Sequence, residues 1–328
     1  MTTHRVGFAC KINHKPGIAD PSLNIKSTTV TWLTSATQQA ASAKLEQLVK
    51  YNLDVLYRQV KWVGKLPNNQ RMFRISSDML PCYTHQVAAQ FYQSKTTQQV
   101  LELGFQKVGD LARELDVRLS FHPGQFCVLA SENPQVVINS IQEFEYHASM
   151  IRWMGYGQLF QDFKCNVHIG GKLGPQGIIA ALQKLSPEAR NTITIENAEF
   201  SWHLEHSLQL AAHCALVLDV HHHWIATGEW IEPNDSRIEQ VIESWRGVRP
   251  TMHLSCSREE HILDHQDPDM LPDLDDLMQL GFTRQKLRAH SDFYWNNAIN
   301  SWAKTHLVWA DIMLESKEKN LAQQEFIK

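Results

Sequence analysis

Imidazole and carboxylate side chains recur along this sequence at or past the ends of short apolar runs: His85, His122, His168, Glu196, Asp219 with His222, His253 and Glu315. These donor types suit Zn, Mn or Fe. A lone histidine in such a place is more often a satisfied core or surface group than a ligand. Glu196 and Asp219 resist that explanation. Each closes a run of apolar residues, where an ionised carboxylate needs a cation or strong donors. The histidines and three carboxylates are too many for one tetrahedral ion, so at least two ions bridged by a carboxylate are expected. If the chain turns into a helix after Asp219, Asp219 and His222 share one side and His223 points elsewhere. Pro123-Gly124 after His122 forms a tight turn that can project Gln125 and Phe126 over the site, and Gly170-Gly171 after His168 gives a second turn.

The elements that must position these groups alternate along the chain. Short aliphatic runs at 5–10, 72–76, 118–122, 164–169, 192–196, 215–220, 250–254 and 307–314 read as strands. Their continuity favours strands covered on both faces, as in a parallel sheet. Helical patterns fall at 35–60, 97–115, 134–154, 178–185, 202–213 and 236–245 and in the tail after Glu315. Eight units of about 41 residues fit a single-domain (β/α)8 TIM barrel over 1–328, whose strand ends converge on one face. The competing open doubly wound sheet would show a Gly-rich turn after its first strand; residues 10–14 hold none. The acidic stretch 258–280 reads as an insertion after the seventh strand. Trp295, Trp302 and Trp309 read as packing.

Composition narrows the class. The 31 Lys+Arg against 35 Asp+Glu leave a formal charge of −4, which argues against a simple polyanion binder. Bound divalent cations would change that balance. The 17 His outnumber the 15 Gly. The six cysteines (Cys10, Cys82, Cys127, Cys165, Cys214, Cys256) form no CxxC pair, so neither a zinc ribbon nor a disulfide scaffold is expected. No apolar stretch is long enough for a transmembrane helix. The segment before the first strand lacks a signal-peptide core, so a cytoplasmic protein is expected.

The sequence resembles the UV DNA damage endonucleases, relatives of the endonuclease IV type apurinic-site nucleases among metal-dependent TIM barrels. The motifs that carry the likeness are RISSDMLPCYTH at 74–85, FHPGQF at 121–126, VHIGG at 167–171, IEN at 195–197, LDVHHHW at 218–224, MHLS at 252–255, AHSDF at 289–293 and DIMLESKEKNLA at 311–322. The resemblance implies two or three divalent ions, Mn²⁺ before Zn²⁺. It implies hydrolysis of the phosphodiester immediately 5′ to damaged nucleotides in double-stranded DNA, for which a monomer suffices. It implies nine ligands: His85, His122, His168, Glu196, Asp219, His222, His253, His290 and Glu315. Glu196, Asp219, His253 and Glu315 would be the catalytic core.

In this reading Glu196 bridges two ions, one also held by His122 and His168, the other by Asp219, His253 and Glu315. His222 and His290 would hold a third. Gln125, Phe126 and Phe8 would probe the distorted duplex. Lys11 and Lys15, with His14 and Lys26, and Arg71 and Arg74, with Arg58, Lys61 and Lys65, would meet phosphates. Two departures stand out. Thr251 replaces a family lysine that can become a carboxylated ligand, with Asp292 as a substitute, and Ala198 replaces an acidic residue after IEN. The alternatives are a sugar isomerase on the same barrel, told apart by turnover of free sugars without nicking, and a non-catalytic lesion binder, told apart by low metal content.

Overall fold

The computed structural model describes residues 4–328. Eight short strands form one parallel sheet: β1 (Val6–Ala9), β2 (Met72–Arg74), β3 (Arg118–Phe121), β4 (Lys164–His168), β5 (Ile193–Glu196), β6 (Ala215–Val217), β7 (Thr251–Leu254) and β8 (Asp311–Leu314). Their order in the sheet is β6-β5-β4-β3-β2-β1-β8-β7. A parallel bridge between Asp219 and His253 joins the two ends, and the His253 N–H donates to Leu218 O at 2.9 Å. The barrel closes there, within the ligand layer itself.

Helices cover the outside: α1 (Gln38–Val63), α2 (Lys95–Glu114), α3 (Pro134–Trp153), α4 (Gly174–Leu182), α5 (Val220–Thr227), α6 (Ser236–Ser244), α7 (Asn297–Thr305) and α8 (Lys319–Ile327). Local sequence sets their starts. Thr37, Ser94, Asn133, Asp219, Asp235 and Asn296 each accept a backbone N–H in the first turn, the usual way of satisfying those free donors. Gly228 ends α5 at φ +80°, where a side chain would be strained. Along α1 the buried stripe Leu45, Val49, Leu53, Leu56, Val60 and Val63 faces the sheet.

Side chains alternate across each strand. Val6, Phe8, Phe73, Leu119, Phe121, Cys165, Val167, Ile193, Ile195, Met252, Ile312 and Leu314 join the main core under the helices. The opposite face fills the barrel. Ala9, Met72 and Met313 form a separate small apolar cluster there, and most other inward positions are polar: Lys164, Asn166, Thr194, Glu196, Thr251 and His253, all buried.

The structure departs from the sequence expectations locally. Residues 307–314 yield a strand only over Asp311–Leu314, after a 3-10 turn at His306–Val308. In 202–213 only Leu204–Leu208 is helical, and the rest winds through turns. A two-stranded hairpin, Asn13–Lys15 with Ile18–Ala19, follows β1. Residues 258–280 are mostly turns, with a short helix at Leu274–Gln279. All six cysteines are free. Trp302 and Trp309 are buried, and Trp295 donates to Ser257 O, so this series packs. No helix among the described residues is long and apolar enough to cross a membrane.

Candidate metal centre

Register brings the donors to one level. His168 at the end of β4 is paired with Glu196 at the end of β5, and Asp219 is bridged to His253 of β7. Alternation does the rest: His168 shares its strand face with Asn166 and Lys164, Glu196 with Thr194, and His253 with Thr251. These strand-borne donors therefore meet at the C-terminal rim.

Glu196 is fully buried at the middle of the cluster. Its Oε2 lies 3.1 Å from His122 Nε2 and 4.0 Å from His168 Nδ1. Its Oε1 lies 3.1 Å from His253 Nδ1 and 3.6 Å from His222 Nδ1. Asn166 donates to Oε2 and in turn accepts from Thr194 Oγ1 at 2.7 Å. Glu315 pairs with Arg74 and stands 3.2 Å from His253 Nδ1. Asp219 caps α5: its Oδ1 accepts from the His222 N–H at 2.7 Å. His223 turns away to Glu229 at 3.1 Å, as the helical spacing predicts.

Three groups place one ligand atom per residue within 4.8 Å of each other: His122–His253–Glu315, His122–His168–Glu196 and Glu196–Asp219–His222. The residues fit divalent ions by their donor chemistry and by one specific orphan. Asp219 Oδ2 is buried without a hydrogen-bond partner, an arrangement that costs energy unless a cation answers it. Burial pushes the Asp219 carboxyl well above the usual carboxylate range. Burial also lowers His168 and His253 to about 4, against the pull of Glu196, so both rings are neutral and able to ligate at pH 7. Burial opposes ionisation of Glu315, but Arg74 and His253 hold it well below its ordinary value.

The grouping differs from the sequence expectation. His222 joins Glu196 and Asp219 rather than His290, and His253 with Glu315 joins His122 rather than Asp219. His290 lines the cavity at the rim, its Nδ1 3.0 Å from Glu315 O, outside the three groups. His85 stands apart: it is exposed, and its Nδ1 accepts the Val87 N–H at the start of a helix.

Phe8 is fully buried and offers no face to a duplex. It points outward from β1 into the core, against Phe73 and Trp62, because its register alternates with inward-facing Gly7 and Ala9. Gln125 lines the rim cavity and Phe126 is 85 % exposed. Among the candidate phosphate contacts, Lys11, His14, Lys15 and Lys26 are exposed beyond β1. Arg74 is spent on Glu315. Arg71 precedes β2 at the opposite end of the barrel, donating to Leu66 O and Leu115 O. Lys61 and Lys65 lie at the same end, where α1 runs down to β2, and Arg58 pairs with Asp54.

The two departures resolve in space. Thr251 is buried one layer below His253, its Oγ1 unpartnered. Asp292 is exposed and bridged to Lys317 at 3.4 Å, so it substitutes for nothing in the cluster. Lys164, from β4, instead places its Nζ 2.7 Å from His253 Nε2. Burial lowers this amine to about 7. Glu199 restores the acidic group missing at Ala198, one residue later, 3.9 Å from His222 Nε2. Lys164, Asn166 and Glu199 were overlooked in the sequence. The signal for the first two was their two-residue spacing from His168; Glu199 had none.

The cluster floors a cavity of about 870 Å³ lined by loops after β3, β4 and β5 and by Arg288. A closed parallel barrel with a histidine–carboxylate cluster at its C-terminal rim defines a TIM barrel with candidate metal-binding groups. The chain belongs to the UV-endonuclease UvdE family, whose model matches residues 4–328. It is 25 % identical over 314 residues to a UV DNA damage endonuclease of Bacillus cereus (strain B4264), covering 92 % of this chain and 88 % of that one. A Bacillus thuringiensis subsp. konkukian UV DNA damage endonuclease is 24 % identical over 315 residues, with the same coverage. Among solved structures, SacUVDE superposes with a TM-score of 0.72 at 23 % identity over 99 % of this chain and 96 % of that one. Endonuclease IV from Thermus thermophilus superposes at 0.52 with 11 % identity, covering 98 % and 96 %. These superpositions agree with the barrel.

Proposed function

We propose that this chain is a metal-dependent endonuclease that hydrolyses the phosphodiester immediately 5′ to UV photoproducts in double-stranded DNA, and also acts at abasic sites. The observation that carries this is Glu196. A fully buried carboxylate whose two oxygens face different imidazoles is placed to bridge two cations, in a chain of the UvdE family.

His122, His168 and Glu196 would hold one ion and Glu196, Asp219 and His222 a second, with His253 and Glu315 left for a third and His122 serving one ion only. Mn²⁺ is the first choice and Zn²⁺ the second. Bound there, such ions supply Lewis-acid activation of water and of the scissile phosphate. The protein's own contribution is placement. Asn166 fixes the rotation of the Glu196 carboxylate, Arg74 offsets the charge of Glu315, and the buried rim keeps His168 and His253 neutral. Gln125 and Phe126 fill the gap left when a damaged base leaves the stack, since a lesion costs less to unstack than an intact pair. Lys11 and Lys15 contact the backbone and set register. In this reading the whole chain works as one domain and as a cytoplasmic monomer.

The test is a nicking assay on UV-irradiated, abasic and undamaged duplexes with Mn²⁺, Zn²⁺ or chelator. Cutting of the damaged duplexes that chelator abolishes is expected. Equal cutting of all three duplexes, or cutting untouched by chelator, overturns the reading.

A further inference from the structure

Thirteen phenylalanines occur in the sequence, and only Phe126 and Phe200 are strongly exposed, at 85 % and 45 %. Both stand at the same cavity. Phe126 lies between Gln125 and Cys127, which line it, and Phe200 lines it from the loop after β5. That loop is held shape-first. The Ala198 N–H donates to Trp202 O at 2.8 Å, and the Trp202 indole donates to Gly171 O at 2.7 Å. Gly171, at φ +94°, lets the Ala130 backbone approach closer than any side chain would permit.

Phe200 therefore sits at the tip of a closed turn, and it joins no hydrophobic cluster among the described residues. Its neighbour is a cation. The Arg288 guanidinium lies 5.5 Å from the ring centroid and is anchored by Glu199 Oε1 at 2.9 Å. Glu199 in turn faces His222 at the metal centre. An exposed ring fixed on a rigid turn and backed by a guanidinium is a stacking surface for a base, because every base offers a π-face. The cavity volume, about 870 Å³, lies within the range that encloses ligands the size of a two-base lesion.

We propose that Phe200, backed by Arg288, is a second specificity-determining wall on which an unstacked base of the damaged strand rests, supplied by a different loop from Phe126. The proposal rests on the endonuclease reading above. Arg288 does two things there: it polarises the ring's far side and offers a free edge toward the phosphate of the extruded nucleotide. Glu199 fixes its position relative to His222, which ties the wall to the metal centre.

The experiment measures KM for nicking a duplex with one UV photoproduct in Mn²⁺, with metal content determined on each protein. Phe200→Ala should raise KM roughly tenfold, the scale of losing one aromatic–base stack, with bound metal as in the wild type. Phe200→Trp, which keeps a stacking face, should restore it. Phe200→Leu, which keeps the bulk without the π-face, should not. An unchanged KM in Phe200→Ala, or equal rescue by Leu and Trp, overturns the wall while leaving the endonuclease reading intact. Failure of the wild-type chain to nick the lesion duplex overturns that reading, and this proposal with it.

Discussion

The two ends of the barrel interior hold buried carboxylates under opposite conditions. At the N-terminal floor Asp311 is surrounded by fixed donors. Its Oδ1 accepts from Arg249 Nε at 2.7 Å and from the Arg5 N–H at 2.8 Å, and its Oδ2 accepts from Arg118 Nη1 at 2.5 Å. The arginines spend their other donors on Arg249 O, Leu307 O and Ala310 O. No buried side-chain atom of this trio lacks a partner. At the C-terminal rim Glu196, Asp219 and Glu315 meet Arg74, Lys164 and a ring of imidazoles. Burial keeps His168 and His253 neutral, whereas at His222 burial is outweighed by Asp219 and Glu196, which raise it to about 9. Asp219 Oδ2 has no hydrogen-bond partner, with His222 Nδ1 3.9 Å away. The floor is neutralised by the chain and therefore structural. The rim leaves a buried carboxylate oxygen without a donor, and that is the place the proposed cation would fill.

Breaking each end should therefore break a different property. Glu196→Gln removes the bridging charge while keeping the shape. Damaged-duplex cutting should fall below detection, well beyond the roughly 10–100-fold that outlying partners of ligands contribute, with the melting temperature held. Retained turnover would remove the bridging assignment. Asp311→Ala leaves the half-buried Arg118 and Arg249 without their counter-charge. About 3–5 kcal/mol of stability should be lost, read by urea unfolding, with the metal stoichiometry of the folded fraction unchanged. Lost metal without lost stability would mean the two ends are not independent. Asn166→Ala frees the Glu196 carboxylate to rotate. Mn²⁺ affinity, measured by competition with a chelating dye, should weaken about 10–100-fold; equal affinity would show that the imidazoles alone orient Glu196.

The contrast also explains what the sequence disclosed. The barrel was legible because eight buried strands read as uninterrupted aliphatic runs, and the rim was legible because polar residues ending such runs need a reason. The floor was not: Arg118 opens the run 118–122 and Asp311 lies inside the run 307–314, and nothing local says that they meet across the barrel. Phe8 failed for a related reason. The resemblance placed it at the duplex, but the one-residue alternation of β1 turns it into the helix layer. His85 follows a 3-10 turn at Ser77–Met79 instead of ending its strand, so closeness in sequence to β2 did not carry it to the cluster. Lys164 illustrates compensation across strands. Thr251 reads as a loss along its own strand, and only the closed barrel shows an amine reaching His253 from β4.

The smallest effect separates the rim from its surroundings by pH. Burial lowers His168 and His253 in the cluster, and His147 behind it on α3, each to about 4. The His147 ring is fully enclosed, with Nδ1 2.8 Å from Glu143 O and Nε2 unpartnered. In the unfolded chain all three take up protons near 6.5. Between about 6.5 and 4 the unfolded state thus binds more protons than the folded one, and stability falls as pH falls through that window. Above it the contribution is complete, and below about 4 nothing further is lost from these groups. One unit into the window, the loss approaches about 1.4 kcal/mol per histidine. Thermal melts of EDTA-treated protein from about pH 7 to about pH 5 should show the decline. His147→Gln should remove only its own share, and Mn²⁺ should raise the melting temperature without flattening the decline, because the protons in this window are taken up by the unfolded chain. A decline that Mn²⁺ flattens, or one that His147→Gln leaves unchanged, would contradict the assignment of this window to three imidazoles buried in the neutral form.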